Sequence, residues 1–292
     1  MMSTLNNPHA PFDDALRTAF EANLLAALLE DVGTGDLTGL LVPDGGRVTA
    51  RVIVREDAVL CGAPWFEGVM NCLQAGIEVD WHYAEGDRMT ADSVVCTLTG
   101  PARALLTAER SALNFLQLLS AVATATRKYV DVIAGTRAAI LDTRKTLPGL
   151  RLAQKYAVRV GGGKNQRLAL YDGILIKENH IAAAGSVTSA VVAAKRLDAG
   201  VSIQVEVENL AELREALDAG AISVLLDNFS TDMMREAVVI NAGRALLEAS
   251  GGINFDTVRA IAETGVDRIS IGSLTKDIRA TDYSLRIVGV AA

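Results

Sequence analysis

Cysteine is scarce in this sequence. Three occur among 292 residues, Cys61, Cys72 and Cys96. They are odd in number, confined to the first third and without CxxC spacing, so neither a disulfide framework nor a zinc site is indicated. Histidine is equally sparse: His9, His82 and His180 are the whole supply. His82 sits in the alternating stretch VDWHY, where a lone histidine reads as an exposed strand residue rather than a ligand. No apolar run approaches the roughly 20 residues that span a bilayer, and no basic segment followed by an apolar core opens the chain. Positive charge is in deficit, the net charge being -7. Such a field repels nucleic-acid phosphates and acidic lipid alike, which argues against nucleic-acid and membrane partners. These absences lead to the expectation of a soluble, cytoplasmic protein with reduced thiols.

Apolar material, by contrast, is plentiful. Half the residues are hydrophobic, which excludes disorder as the main state and suffices for one large domain or two modest ones. The scarce positive charge is also concentrated in one place. Between Leu141 and Ile181 lie Arg144, Lys145, Arg151, Lys155, Arg159, Lys164, Arg167 and Lys177. A local reversal of sign in an acidic chain points to an anionic ligand. Pro148 and Gly149 introduce a helical pattern that ends at Gly161, Gly162 and Gly163, as start and stop signals require. Asn165, Gln166 and Arg167 follow. A short apolar strand, Gly173 to Ile176, then delivers Lys177, Glu178, Asn179 and His180 at its far end, the place where α/β sheets build sites.

Taken in order, the chain predicts a polar, mobile arm over Met1 to Pro11 and a helix over Leu16 to Glu30. Strands are predicted at Val48 to Leu60, Ile77 to Tyr83 and Val94 to Leu98, a helix at Trp65 to Ala75, and a long helix at Thr107 to Ile133. From Ala138 onward apolar strands alternate with helical patterns: Ala138 to Leu141, Ile174 to Ile176, Ser202 to Val207, Ile222 to Leu226, Ala245 to Glu248 and Arg268 to Ile271. That is the signature of βα units on a parallel sheet. Six strands are too few for a closed eight-unit barrel. The expected fold is therefore α/β, with an N-terminal α+β sandwich domain (1–112), an incomplete, open α/β barrel (113–277) and a tail (278–292) that returns to the first domain as a strand.

Polar or glycine residues end every barrel strand, and this constellation says more than any one member. Arg110, Arg144 and Arg167 present forked donors that suit a dicarboxylic acid. Ser250, Gly251 and Gly252, read as opening a helix at Asn254, offer bare amides for a phosphate, and Ile271, Gly272 and Ser273 make a second such turn. Glu206 and Asp227 are acceptor-only groups that can face ribose hydroxyls, magnesium or a cationic sugar centre; magnesium shared with substrate phosphates fits so sparse a pair.

DTRKTLPGLR, GGGKNQR and LIKENHI, in this order, with ERSALNFLQLLSAVATATR before them and LLDNF and EASGGIN after, closely resemble the quinolinate phosphoribosyltransferase family. The resemblance runs from about Leu24 to Arg286. It implies an open α/β barrel and transfer of phosphoribosyl from 5-phosphoribosyl 1-pyrophosphate to quinolinate with decarboxylation, giving nicotinate mononucleotide, pyrophosphate and CO2 for NAD biosynthesis, with Mg2+ accompanying the pyrophosphate substrate. It also implies a homodimer or higher oligomer in which Arg110 reaches the partner's site. In that reading Arg110 of the neighbouring subunit, Arg144, Lys145 and Arg167 hold the two carboxylates, Thr143 and Gln166 also bind substrate, Lys177 reaches toward pyrophosphate, and Lys145, Glu206 and Asp227 are catalytic. Gln166 and Ala169 depart from the family's usual histidine and glycine, and Gln166 cannot titrate. Rival readings are a nicotinate enzyme, a molybdenum-transport-associated relative, a Schiff-base aldolase with Lys177 as nucleophile, and a non-catalytic anion binder.

Overall fold

The computed structural model describes residues 4–43 and 45–291. Its elements are α1 (Asp14–Asp31), a single 3-10 turn (Gly39–Leu41), β1 (Arg47–Val54), β2 (Ala58–Val59), α2 (Ala63–Cys72), β3 (Glu78–Trp81), β4 (Arg88–Met89), β5 (Val94–Pro101), α3 (Ala102–Val132), β6 (Ala139–Leu141), α4 (Arg151–Val160), β7 (Gly173–Ile176), α5 (Glu178–Ala184), α6 (Val187–Arg196), β8 (Ser202–Val207), α7 (Leu210–Asp218), β9 (Ser223–Asp227), α8 (Thr231–Asn241), β10 (Leu246–Ser250), α9 (Val258–Ala262), β11 (Arg268–Ser270), α10 (Ser273–Lys276) and β12 (Tyr283–Val290). No helix among the described residues is long and apolar enough to cross a membrane.

Two compact units result: Met1–Arg127 with Leu147–Gly162 and Asp277–Ala292, and Lys128–Thr146 with Gly163–Lys276. The expected boundary at 112/113 is corrected, because it falls inside α3, one uninterrupted helix whose apolar face (Leu105, Leu113, Leu116, Leu119, Val122) stays in the core of the first unit. α4 belongs there too, since Ala153, Tyr156, Ala157 and Val160 are buried in that same core.

In the first unit β1 alternates: Ala50, Val52 and Val54 are fully buried while Arg51 between them is exposed, so one sheet face covers the core. The antiparallel sheet runs β12-β1-β5-β3. β12 pairs along β1 from Val54↔Tyr283 to Val48↔Val290, bringing the tail back as expected. The strand expected over Val48 to Leu60 is interrupted by a bend at 55–57 and resumes as β2. The polar leader is docked rather than loose: Thr4 Oγ1 donates to the Val79 carbonyl (3.2 Å) and accepts from the Trp81 amide (3.0 Å), and the Glu85 amide donates to Asn6 O at 2.9 Å. Met1, Met2 and Ser3, part of the same expectation, lie outside the described residues.

The second unit holds one parallel sheet in the order β6-β11-β10-β9-β8-β7. Val205, Val207, Val224, Leu226, Leu247 and Ala249 are buried to within 1% exposure, and each such valine or leucine side chain contributes about 1.5–3 kcal/mol. Ser186, Asn209 and Ser230 cap α6, α7 and α8 by accepting from Ser189 N, Glu212 N and Met233 N. β6 and β7 do not pair with each other, so the barrel stays open. Among the described residues one parallel bridge, Leu141↔Lys164, lines the free edge of β6.

Candidate active site

Parallel strands bring all their carboxyl ends to one side, and side chains two apart along a strand share a face. A cavity of about 370 Å³ results, wholly within the second unit, and residues on or just beyond all six barrel strands line it. From the loop after β6 come Thr143, Arg144 and Lys145; from the segment covering the open edge, Gln166 and Arg167; from β7, Leu175 and Lys177. β8 supplies Glu206, β9 Asp227, β10 Glu248 and Ser250, and β11 Ser270.

The cations and carboxylates take different duties. Lys177 Nζ contacts both oxygens of Glu206, at 2.9 and 3.1 Å. The Lys177 amide donates to His180 Nδ1 (3.0 Å), so that histidine is occupied in capping α5. Asp227 Oδ2 accepts from Asn228 Nδ2 at 2.9 Å. The Arg144 Nε is buried and makes no hydrogen bond among the described residues. A donor buried without an acceptor is costly, which marks it as a place for a ligand oxygen. Burial first, and then the charge of Arg144, pull the Arg167 guanidinium below its usual pKa. Two guanidinium groups that disfavour each other are relieved by a shared anion.

Lys145 lies across Gly272, where an added Cβ would sit 3.1 Å from Lys145 Cδ. The Lys145 amide donates to Thr143 Oγ1 at 3.1 Å, and its carbonyl accepts from Thr275 Oγ1 at 2.8 Å. Gly251 stands at φ +98° with an ideal Cβ position 2.1 Å from Asn228 Oδ1, so only glycine fits behind the Asp227–Asn228 turn.

Some expected members do not line this cavity. Gly251 and Gly252 follow Ser250 on an exposed loop, and the helix expected to open at Asn254 begins only at Val258. Asn254 Oδ1 accepts from the amides of Asp256 and Thr257, and this side-chain turn displaces the helix start. The phosphate-seat argument from a helix N-terminus therefore does not hold at that loop. Ile271 turns its side chain into the core at 2% exposure, while Gly272 and Ser273 open the four-residue α10. Arg110 is an exposed residue of α3 in the first unit.

Three functional neighbours were not foreseen. Asp142, fully buried, accepts from Gln166 N (2.9 Å) and Asn165 Nδ2 (2.6 Å), fastening the edge segment to the end of β6. Gln166 Nε2 donates to Gln204 Oε1 at 2.7 Å and lies 3.4 Å from both oxygens of the fully buried Glu248, to which Gln204 Nε2 also donates at 2.9 Å. Gln204 precedes Glu206 by two residues and Glu248 precedes Ser250 by two, so period-two reading of SIQVEV and LLEAS would have placed both on the inward face.

Residues 122–286 match the profile of the quinolinate phosphoribosyl transferase C-terminal domain, and residues 36–120 that of its N-terminal domain. The chain belongs to the quinolinate phosphoribosyl transferase family. Its curated relatives include a probable nicotinate-nucleotide pyrophosphorylase [carboxylating] of Bacillus subtilis (strain 168), 41% identical over 89% of this chain and 90% of that protein. The nicotinate-nucleotide pyrophosphorylase [carboxylating] of Mycobacterium leprae is also 41% identical, over 89% and 94%. Among solved structures, the nicotinate-nucleotide pyrophosphorylase of Francisella tularensis superposes with a TM-score of 0.90 at 43% identity, covering 97% of this chain and all of that one. NadC from Streptococcus pyogenes gives 0.92 at 37%, with the same coverage. In this quinolinate phosphoribosyl transferase family member Gln166 donates to Gln204 and lies against the buried Glu248 carboxylate.

Proposed function

We propose that the chain transfers the phosphoribosyl group of 5-phosphoribosyl 1-pyrophosphate to the nitrogen of quinolinate and releases pyrophosphate and CO2, leaving nicotinate mononucleotide. One observation carries this reading beyond family membership: the same cavity gathers Arg144, Lys145 and Arg167 for a dianion and Glu206 and Asp227 for a cationic sugar.

Arg144, Lys145 and Arg167 hold the two carboxylates and fix the pyridine nitrogen in line with the sugar's anomeric carbon, which removes much of the entropic barrier. Lys177 exchanges its contact with Glu206 for the departing pyrophosphate. As the bond to pyrophosphate breaks, its electron pair leaves with the phosphate oxygen, and Glu206 and Asp227 stabilise the oxocarbenium-like ribose and accept from its hydroxyls. The pyridine nitrogen then bonds to that carbon and becomes cationic. The adjacent carbon–carboxylate bond breaks toward the ring, CO2 departs, and a proton from solvent completes the ring carbon. Lys145 supports the charge in this second step.

Glu206 and Asp227, two carboxylates with one of them already ion-paired, fit a divalent ion only alongside substrate oxygens. Magnesium carried by the pyrophosphate substrate would supply neutralisation of the leaving group's charge there. The chain acts as a homodimer in the cytoplasm in this proposal, with Arg110 contributed to the partner's carboxylate pocket. Supporting the assembly, Leu25, Leu29, Leu37, Leu40 and Leu41 are 60–82% exposed on the first unit. Supporting the compartment, Cys61, Cys72 and Cys96 are all free.

The Schiff-base alternative is disfavoured because Lys177 is engaged with Glu206 rather than held as a free amine. Incubating the full chain with magnesium, 5-phosphoribosyl 1-pyrophosphate and either quinolinate or nicotinate tests the proposal. Nicotinate mononucleotide should form from quinolinate, and preferential turnover of nicotinate would overturn it.

A further inference from the structure

The barrel has a second cavity, of about 280 Å³, at the other end of its strands. Gly173, Ser202, Ser223, Leu246 and Arg268, which open β7, β8, β9, β10 and β11, all line it. The mouth described above instead takes Glu206, Asp227, Ser250 and Ser270 from the far ends of the same strands. Between the two lies the buried hydrogen-bonded layer of Gln204 and Glu248.

The charge of this lower cavity is one-sided. Lys164, Arg167 and Arg268 line it, and no carboxylate does among the described residues. In a chain of net charge -7 that segregation runs against the overall balance. The side chains of Lys164 and Arg268 make no hydrogen bond or ion pair among the described residues. Arg268 is half-buried, and its guanidinium fork remains open to an anionic acceptor. Lys164, part of the basic run in the sequence, has no place in the catalytic mouth, so this cavity accounts for a charge the proposed reaction leaves unused. The remaining wall mixes aliphatic side chains, including Ile174 and Ile203, with neutral polar ones, including Asn165, Ser202 and Ser223. A cavity lined by cations and aliphatic side chains together suits a compact anion with an apolar body.

We propose that the lower cavity is a separate binding site for a small organic carboxylate. Arg167 and Gln166 line both cavities, so an anion below competes for the guanidinium that the mouth uses above. Occupancy therefore weakens binding of the acidic substrate.

The test is calorimetric titration of the full-length chain with benzoate, for the wild type, Arg268→Gln, Lys164→Gln and the mouth variant Arg144→Gln, with thermal melts to establish folding. The wild type should show a binding event that Arg144→Gln retains and that Arg268→Gln weakens by about tenfold or more, the loss of one charge-assisted contact. Lys164→Gln should weaken the same event, which covers the case of an unfolded Arg268 variant. Basal turnover of Arg268→Gln should equal the wild type's, while benzoate should raise the wild type's KM for the acidic substrate more than the variant's. Superimposable isotherms for the wild type and both lower-cavity variants would overturn the proposal. Failure to turn over quinolinate with the Arg268-dependent event intact would instead sink the substrate assignment and leave this site standing.

Discussion

Replacing Glu85 by glutamine should change how the stability of the first unit responds to pH. The Glu85 side chain is fully buried; Oε1 accepts from Gly62 N at 2.8 Å and from the Tyr156 hydroxyl at 2.9 Å, and Oε2 accepts from Ala63 N at 3.2 Å. It therefore fastens the start of α2 to α4. Those hydrogen bonds favour the carboxylate, but burial outweighs them and pushes the pKa from 4.5 to about 7. In the unfolded chain the group titrates near 4.5, so between these values the native state holds a proton that the unfolded state has lost. The resulting stabilisation is fully present below about pH 4.5 and is lost as pH rises through about 7. At about 1.4 kcal/mol per pH unit the contribution is on the order of 3 kcal/mol. Urea unfolding of the wild type and Glu85→Gln, each at pH 5 and pH 8.5, isolates it because the other titrating groups cancel. The wild type should lose about 2.5 kcal/mol relative to the variant between the two pH values. A difference between the two proteins that does not change with pH would refute the reasoning.

Arg144→Gln removes the buried Nε donor and its charge; with about 3 kcal/mol of charge-assisted hydrogen bonding lost, kcat/KM for quinolinate should fall about 100-fold, chiefly through KM. Steady-state kinetics with both substrates varied would check this, and an unchanged KM would remove Arg144 from the carboxylate pocket. Glu206→Gln should depress kcat by about 10²–10³ through lost stabilisation of the sugar cation, with little change in the dissociation constant for quinolinate. Gly251→Ala forces a Cβ against Asn228 Oδ1 at positive φ and should cost about 2 kcal/mol or more in unfolding free energy. A melt equal to the wild type's would show that the Asn228 turn yields.

Much of the second unit was legible because its strands are short, apolar and bounded by polar residues. The bounds of β8, Ser202–Val207, coincide with the apolar run, and the bounds of its neighbours move by one or two residues. Local side-chain chemistry hid other features. The Asn254 turn delays α9, and the docking of Thr4 and Asn6 depends on partners more than seventy residues away. The division between units was illegible for a related reason: the apolar face of α3 continues past residue 112, and nothing in α4's own pattern reveals which core it joins. In the site, charged residues at strand ends were easy to find. Asp142, Gln204 and Glu248 were harder, because a polar residue inside or just beyond a buried strand acquires meaning only from the partner opposite it. Gln166 illustrates the same limit: its hydrogen bonds to Gln204 and Glu248 come from separate strands of the barrel.

The central claim is that one barrel mouth seats a pyridine dicarboxylate against an activated sugar and expels a carboxylate. A single-turnover reaction with quinolinate labelled in the carboxylate next to the ring nitrogen, in the presence of magnesium and 5-phosphoribosyl 1-pyrophosphate, tests it most directly. The account predicts labelled CO2 and pyrophosphate in equal amounts, both suppressed in Arg144→Gln. Pyrophosphate released without labelled CO2, or equal release by the wild type and Arg144→Gln, would contradict it.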